Sequence, residues 1–247
     1  MQLEEFAEGN SILHRLDPRI KFLTLLPFII VIALMKGLKG PFLGFCFSII
    51  LVIIGKLNFK KLLDRMLIVN VFVFFLWLCL PFSYPGNKFF HIGSLTATKE
   101  GILYTLSITF KTNGIVLATI AILGTSNIFS LAHALIHLKI PNKLIYLFFF
   151  CYRYITVFYE EYTKLKNAMV IKCFKPRTDI HTYRSYAYLV GMLLIRSYDR
   201  SKRIYNAMLC RGFQGKFPLI SHFRFSPSDL LFAIIMVITV FTLLLII

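Results

Sequence analysis

Met66-Leu67-Ile68-Val69-Asn70-Val71-Phe72-Val73-Phe74-Phe75-Leu76-Trp77-Leu78-Cys79-Leu80-Pro81-Phe82 runs for 17 residues without a charge. At about 1.5 Å of rise per residue, a helix of this length approaches the ~30 Å hydrocarbon core of a bilayer. On its N-terminal side lies a basic stretch, Lys56, Lys60, Lys61 and Arg65, read as a loop, and before that two further apolar runs, Pro41–Gly55 and Ile20–Met35. Both are shorter than the ~20 residues of an ideal span, and they cross as a tight hairpin if the flanking lysines snorkel. The earlier one opens on Asp17-Pro18, an Asp cap with Pro at the first helical position, and turns at Lys36-Gly37-Leu38-Lys39-Gly40-Pro41.

C-terminal to the quoted run, Ser83–Lys99 with its Tyr84-Pro85-Gly86-Asn87 reads as a polar, turn-rich loop, and a fourth helix is expected from Glu100 to Gly124. Lys111 and Asn113 interrupt that helix near its middle, where a charge facing lipid is costly, so they are expected to face protein or a polar cavity. Asn127–Tyr154 is amphipathic with a break at Pro141; its pattern leaves open whether it crosses, re-enters or lies along the membrane. A last apolar helix covers Leu230–Ile247.

The composition agrees with this pattern. Of 247 residues 57% are hydrophobic and 16% charged, with a mean hydropathy of +0.73, against roughly a quarter charged in soluble domains. The expected fold class is therefore all-α, a polytopic helical membrane protein with cytoplasmic amphipathic helices. Its net charge of +17 would suggest nucleic acid in a soluble chain, but in a polytopic one Lys and Arg mark cytoplasmic loops. By that bias the N-terminus, the Lys56–Arg65 loop and the basic segment Lys164–Arg224 lie inside, five crossings result, and the C-terminus lies outside. Met1–Asn10, with Glu4, Glu5 and Glu8, lacks signal-peptide character and reads as a retained cytosolic leader. The five cysteines, odd in number and scattered, indicate neither a disulfide framework nor zinc. No internal repeat of transporter type and no linker between soluble domains is evident, so 1–247 reads as one membrane domain: membrane helices over about 20–124, a cytoplasmic elaboration over about 127–224 and a final span over about 228–247.

On a helical wheel, Leu194–Gly212 gathers Leu194, Tyr198, Tyr205, Met208 and Leu209 in one apolar arc. Arg196, Arg200, Arg203, Ala207 and Arg211 fall opposite. Such a helix lies against membrane or bundle through one face and offers guanidinium groups on the other, either to the anionic inner leaflet or to an acidic protein groove. Gly212 suits the left-handed residue that ends a helix.

These residues resemble the T component of energy-coupling factor transporters, in the CbiQ branch linked with cobalt and nickel uptake, over nearly the whole chain. The resemblance begins at Gly9–Lys21 with its Leu16-Asp17-Pro18-Arg19 core, continues through Tyr152-Arg153-Tyr154-Ile155 and Glu160-Glu161, and is strongest from Arg196-Ser197 through Asn206-Ala207-Met208-Leu209-Cys210-Arg211-Gly212-Phe213. It implies two X-Arg-Gly motifs at the ends of two coupling helices, each Arg entering a groove of one ATPase subunit. The second motif is Cys210-Arg211-Gly212. The first falls after Asn167-Ala168-Met169-Val170, where the chain reads Ile171-Lys172-Cys173-Phe174: Lys172 keeps the charge without the planar fork, and Cys173 is expected not to replace glycine's conformational freedom. The implied ATPase-contact set is Arg211, Gly212, Ala207, Arg203, Arg200 and Lys172. Lys111 stands where the family has Arg, in a structural role.

The resemblance further implies two ABC-type ATPases of CbiO or EcfA kind, a substrate-binding S component of CbiM or NikM kind, an optional small accessory membrane subunit, and residence in a prokaryotic inner membrane. ATP belongs to the partner subunits: this chain has no Gly-x-x-x-x-Gly-Lys-Ser/Thr loop and is expected to hold no cofactor and to catalyse no reaction. Two other classes compete. His133 and His137, four apart on one helical face, have the spacing of a metal pair, which would suit an intramembrane enzyme, but no acidic third ligand accompanies them. A stand-alone channel or secondary carrier would show inverted repeats and paired broken helices.

Overall fold

The computed structural model describes residues 9, 11–83, 85, 88–92, 95–137, 141–215 and 226–245. They form two compact units, one of residues 2–139 with 223–247 and one of residues 140–222.

The first unit opens with a single turn, α1 (Ile12–Arg15), and α2 (Pro18–Leu34). As the Asp-Pro pair predicts, Pro18 is the first residue of α2 and the Asp17 carboxylate accepts the Arg19 N–H at 2.9 Å. α3 (Lys39–Gly55) follows, closed by Lys56 at φ 47°. α4 (Phe59–Ser83) departs from the sequence reading, because the basic stretch before Met66 is not a loop: Lys60, Lys61 and Arg65 belong to the first turns of the helix. The Asn58 side chain accepts the Lys60 N–H at 3.2 Å, its carbonyl accepts the Leu62 N–H, and Leu62 is buried. A cap and one apolar anchor suffice to extend the helix into a charged segment in which Lys60, Asp64 and Arg65 stay exposed and Lys61 is half-buried.

The expected loop after Ser83 is also partly ordered. Strands β1 (Lys88–Ile92) and β2 (Leu95–Thr98) pair antiparallel, with His91 opposite Thr96 and Ile92 opposite Leu95. β2 leads directly into α5 (Lys99–Ile122), where the Thr98 hydroxyl accepts the Gly101 N–H at 3.2 Å.

α5 is the axis of this unit. It packs most extensively on α3 and then on α4, and the crossing with α3 is close: a Cβ on Gly114 would lie 3.3 Å from the Phe45 Cα. Small residues at such contacts let helix backbones approach in a bilayer, where lipid removes the usual hydrophobic drive. Polar side chains then link the helices. The Asn113 amide donates to Asn70 Oδ1 at 3.2 Å, the Trp77 indole to Thr109 at 3.0 Å, and Lys111 Nζ to the Ala33 carbonyl at 3.0 Å. Lys111 and Asn113 thus face protein, as their position predicts.

α6 (Ile128–His137) and α9 (Pro227–Leu244) complete the unit. At 10 residues, α6 is about 15 Å long and too short to span. Leu25, Phe28, Ile32, Ala118, Ala121, Phe232 and Met236 form the common core of α2, α5 and α9.

One buried polar knot ties the ends of the chain together. Asp229 closes a capping box with Ser226 at the start of α9, and its Oδ1 accepts the Asp17 N–H at 2.9 Å. Lys21, fully buried, donates to Ser126 at 2.6 Å and Thr125 at 3.2 Å.

α4, α5 and α9 have the length and apolar composition of membrane spans. α2 and α3, at 17 residues each, sit at the lower end of the spanning range. Ile68 and Phe74 of α4 are 73% and 72% exposed, an outward apolar surface suited to lipid as solvent. The protein is an all-α, multi-pass membrane protein.

Candidate coupling site

The second unit consists of two long helices, α7 (Asn142–Ile171) and α8 (Ile180–Cys210). α7 starts after Pro141, which cannot extend a preceding helix and suits a helix entrance. Between the two, Phe174 folds back and lies edge-on to Tyr186, and the Arg177 N–H donates to the Thr182 hydroxyl at 3.1 Å. The helices run antiparallel. Leu165 and Met169 share a cavity of about 560 Å³ with Leu189 and Met192, while Phe150 and Tyr154 share one of about 330 Å³ with Ile204 and Met208.

Between these cavities lies Glu161. Its carboxylate accepts from Arg196 at 3.0 Å through Oε2 and from Arg200 at 3.2 Å through Oε1, with Lys164 at 3.7 Å. The Arg196 hydrogen bond is the main influence holding the Glu161 carboxyl below its ordinary range, aided by Lys164, Arg196 and Arg200 as nearby positive charges.

This contact changes the wheel assignment. Arg200 does not stand on the outward face with Arg203 and Ala207; it is half-buried and turned to α7. The inward side of α8 is Leu189, Leu193, Ser197, Arg200, Ile204 and Met208, all buried or half-buried, whereas Leu194, Tyr198, Tyr205 and Leu209 from the apolar arc are exposed. At about 100° per residue, the packed side is displaced roughly a quarter turn from the hydrophobic one. A wheel ranks faces by hydropathy, and here an ion pair helps decide which face packs.

Of the remaining site residues, Arg203 and Ala207 are exposed within the last turns of α8, and the others sit at helix ends. Arg211 is the C-cap of α8 and Lys172 the C-cap of α7; both are exposed. The two ends are closed by the same pair of bonds. In α8, the Phe213 N–H donates to the Met208 carbonyl at 3.0 Å and the Gly212 N–H to Leu209 at 2.9 Å; in α7, Phe174 N–H donates to Met169 at 3.1 Å and Cys173 N–H to Val170 at 2.9 Å. Each is a Schellman closure, which requires a left-handed residue just past the cap. Gly212 takes φ 79° and Cys173 takes φ 60°. The expectation that Cys173 could not stand in for glycine is thus overturned. It adopts the left-handed conformation at a cost of about 1–2 kcal/mol, which the two closing bonds and the packing of Phe174 offset.

The two ends also match in sequence. Asn167-Ala168-Met169 and Phe174 recur 39 residues later (206 − 167 = 39) as Asn206-Ala207-Met208 and Phe213, with Lys172 against Arg211 and Cys173 against Gly212. So short a tandem repeat is unlike the inverted halves of transporters, and the shared cap marks it.

His133 and His137 fall within α6, but their side chains lie outside the described residues. Among the described residues no three His, Cys, Asp or Glu side chains gather as a metal site.

Known proteins similar to this chain include transporter components. The chain is 26% identical over 224 residues to the energy-coupling factor transporter transmembrane protein EcfT of Thermosediminibacter oceani, a match covering 85% of this chain and 83% of that one. It is 24% identical over 226 residues to EcfT of Bacillus subtilis, covering 87% and 85%, and 24% identical over 230 residues to EcfT of Streptococcus equi, covering 86% and 83%. A family model described as cobalt transport protein, CbiQ, matches residues 9–222, taking in α1 to α8 and both capped ends and stopping short of α9. With that span matched from the first motif to beyond the second cap, the chain belongs to the CbiQ family and is a component of a transporter, not a catalyst.

Proposed function

We propose that this chain is the transmembrane coupling subunit of an energy-coupling factor transporter, and that α7 and α8 carry ATP-driven motion from two cytoplasmic ATPases to a substrate-binding S component in the membrane. The observation that carries this reading is the pair of equivalent C-caps: Lys172 and Arg211 stand exposed at the ends of two helices closed in the same way. A basic side chain on a fixed helix end suits insertion into an acidic groove, because its backbone has little freedom left to lose on docking, and it also complements the carbonyl end of its own helix dipole. The EcfT names of the relatives support the same assignment. Arg211, Gly212, Ala207 and Arg203 would meet one ATPase and Lys172 the other, while Arg200 would act from beneath by bracing the helix pair.

Orientation follows from charge. The distribution of Lys and Arg supports an inside location for the N-terminus and for the 140–222 unit, with α2, α3, α4, α5 and α9 as five crossings of a prokaryotic cytoplasmic membrane. The CbiQ description favours cobalt or nickel ions as cargo, bound by the S component. ATP is bound by the partners.

The test is Arg211→Ala in the assembled transporter. ATP-driven uptake is expected to be lost while the protein remains inserted; uptake at the unaltered rate would reject the assignment.

A further inference from the structure

The repeat at the two helix ends extends inward. Aligned with the same offset of 39, Tyr159–Phe174 and Tyr198–Phe213 keep Tyr159 against Tyr198, Glu160 against Asp199, Lys164 against Arg203 and Leu165 against Ile204. Two equivalent helices packed antiparallel are related by a pseudo-twofold axis across the pair. On such an axis a position meets its own equivalent.

The position that does so is Glu161. Its equivalent is Arg200, 39 residues on, and the two side chains are bonded at 3.2 Å. A strictly repeated sequence would set like charges against each other there; this chain carries Glu in one copy and Arg in the other, so the node is self-complementary. Arg196, one turn before Arg200, takes the other carboxylate oxygen. Open cavities flank the node on both sides. Glu161 is 11 residues from Lys172, and Arg200 is 11 from Arg211 (172 − 161 and 211 − 200). At ~1.5 Å of rise per residue each tip is about 16 Å from the axis.

We propose that Glu161 is the positioning residue of the coupling unit: through Arg200 and Arg196 it fixes where α7 crosses α8, and thereby holds the two basic tips at equal distances from one pseudo-twofold axis. This deepens the coupling reading and rests on it only for the consequence for transport. An ATPase pair related by its own twofold presents two equivalent grooves at a fixed spacing, and a hairpin whose crossing wanders cannot meet both.

The chain supplies its own probes, since Cys173 and Cys210 are exposed beside the two tips. In the full-length protein in lipid nanodiscs, with Cys46, Cys79 and Cys151 replaced by Ser and spin labels on Cys173 and Cys210, the tip-to-tip distance is expected to be one narrow distribution. Glu161→Gln is expected to broaden it, and the charge exchange Glu161→Arg with Arg200→Glu to narrow it again, since the two positions are equivalent. In the unlabelled transporter, Glu161→Gln should lower ATP-driven uptake on the order of tenfold, as for a broken side-chain network, with both ATPases still bound, and the exchange should restore it. A Glu161→Gln distribution as narrow as the wild type, or an exchange that does not narrow it, overturns the proposal. The distances decide this whether or not ATPases are recovered; failure to recover them with the wild-type chain overturns the coupling reading alone.

Discussion

Cys173 holds a backbone angle of φ 60° that its side chain disfavours by about 1–2 kcal/mol, and Gly212 holds the equivalent angle without that cost. The difference is measurable at the amides that close each cap. Cys173→Gly is expected to slow hydrogen exchange of the Phe174 amide by roughly fivefold, a gain of about 1 kcal/mol, and Gly212→Ala to speed exchange at Phe213 by a similar factor. Equal rates before and after substitution would mean that the closures do not depend on the left-handed residue. Glu161 gives a second test at this scale. Its carboxyl titrates below the ordinary value of 4.5 because Arg196, Arg200 and Lys164 favour its charged form. The sign follows: a depressed pKa contributes stability that is complete above 4.5 and is lost only as pH falls through the lower native value. The narrow tip-to-tip distribution should therefore survive at pH 5 and broaden only in more acidic solution; broadening between pH 7 and 5 would show that another group controls it.

Among the elements, the apolar runs were legible because a span must satisfy its backbone internally and keep charge out, which leaves a long hydropathy signal. The start of α2 was legible from two adjacent residues, Asp17 and Pro18. What the sequence hid were interactions between distant positions. Asp229 lies 212 residues from Asp17, and no local pattern announces that one carboxylate both caps α9 and anchors the entry of α2. Similarly, Arg200 belongs to the packed side of α8 only because Glu161 on another helix receives it, and β1 and β2 form where turn residues had suggested a bare loop. Asp229→Ala would strip the acceptor from the Asp17 and Ser226 amides, at about 1–3 kcal/mol for each buried donor left unpaired. α9 is expected to become protease-sensitive at its N-terminal end, while Asp229→Asn, which keeps one acceptor oxygen, should fall between that variant and the wild type. Gly114→Leu tests the α3 contact: with the Phe45 backbone 3.3 Å from the built Cβ, overpacking should cost about 1–3 kcal/mol and lower the temperature of aggregation in detergent. Unchanged behaviour would mean that α3 and α5 can separate freely.

At the level of the whole molecule, the two basic tips are alike in position and unlike in chemistry, and the proposed coupling makes that difference visible. Arg211 offers a planar fork able to bind a carboxylate through two parallel bonds, whereas Lys172 offers a compact charge on a flexible stem. Because both tips belong to one hairpin, docking of the first onto a paired set of ATPases makes the second an intramolecular event, so each contact is amplified by the other. Three outcomes follow for recovery of the ATPase partners on an affinity matrix as salt is raised. Arg211→Ala should release them at the lowest salt and Lys172→Ala at an intermediate one. The double change Lys172→Arg with Cys173→Gly, which gives α7 the tip that α8 already has, should retain them at higher salt than the wild type, because paired guanidinium contacts resist screening better than a single exposed ammonium. Equal salt sensitivity of the two alanine variants would show that the tips bear equal load despite their chemistry, and release of the double variant before the wild type would show that the groove facing α7 is shaped for lysine.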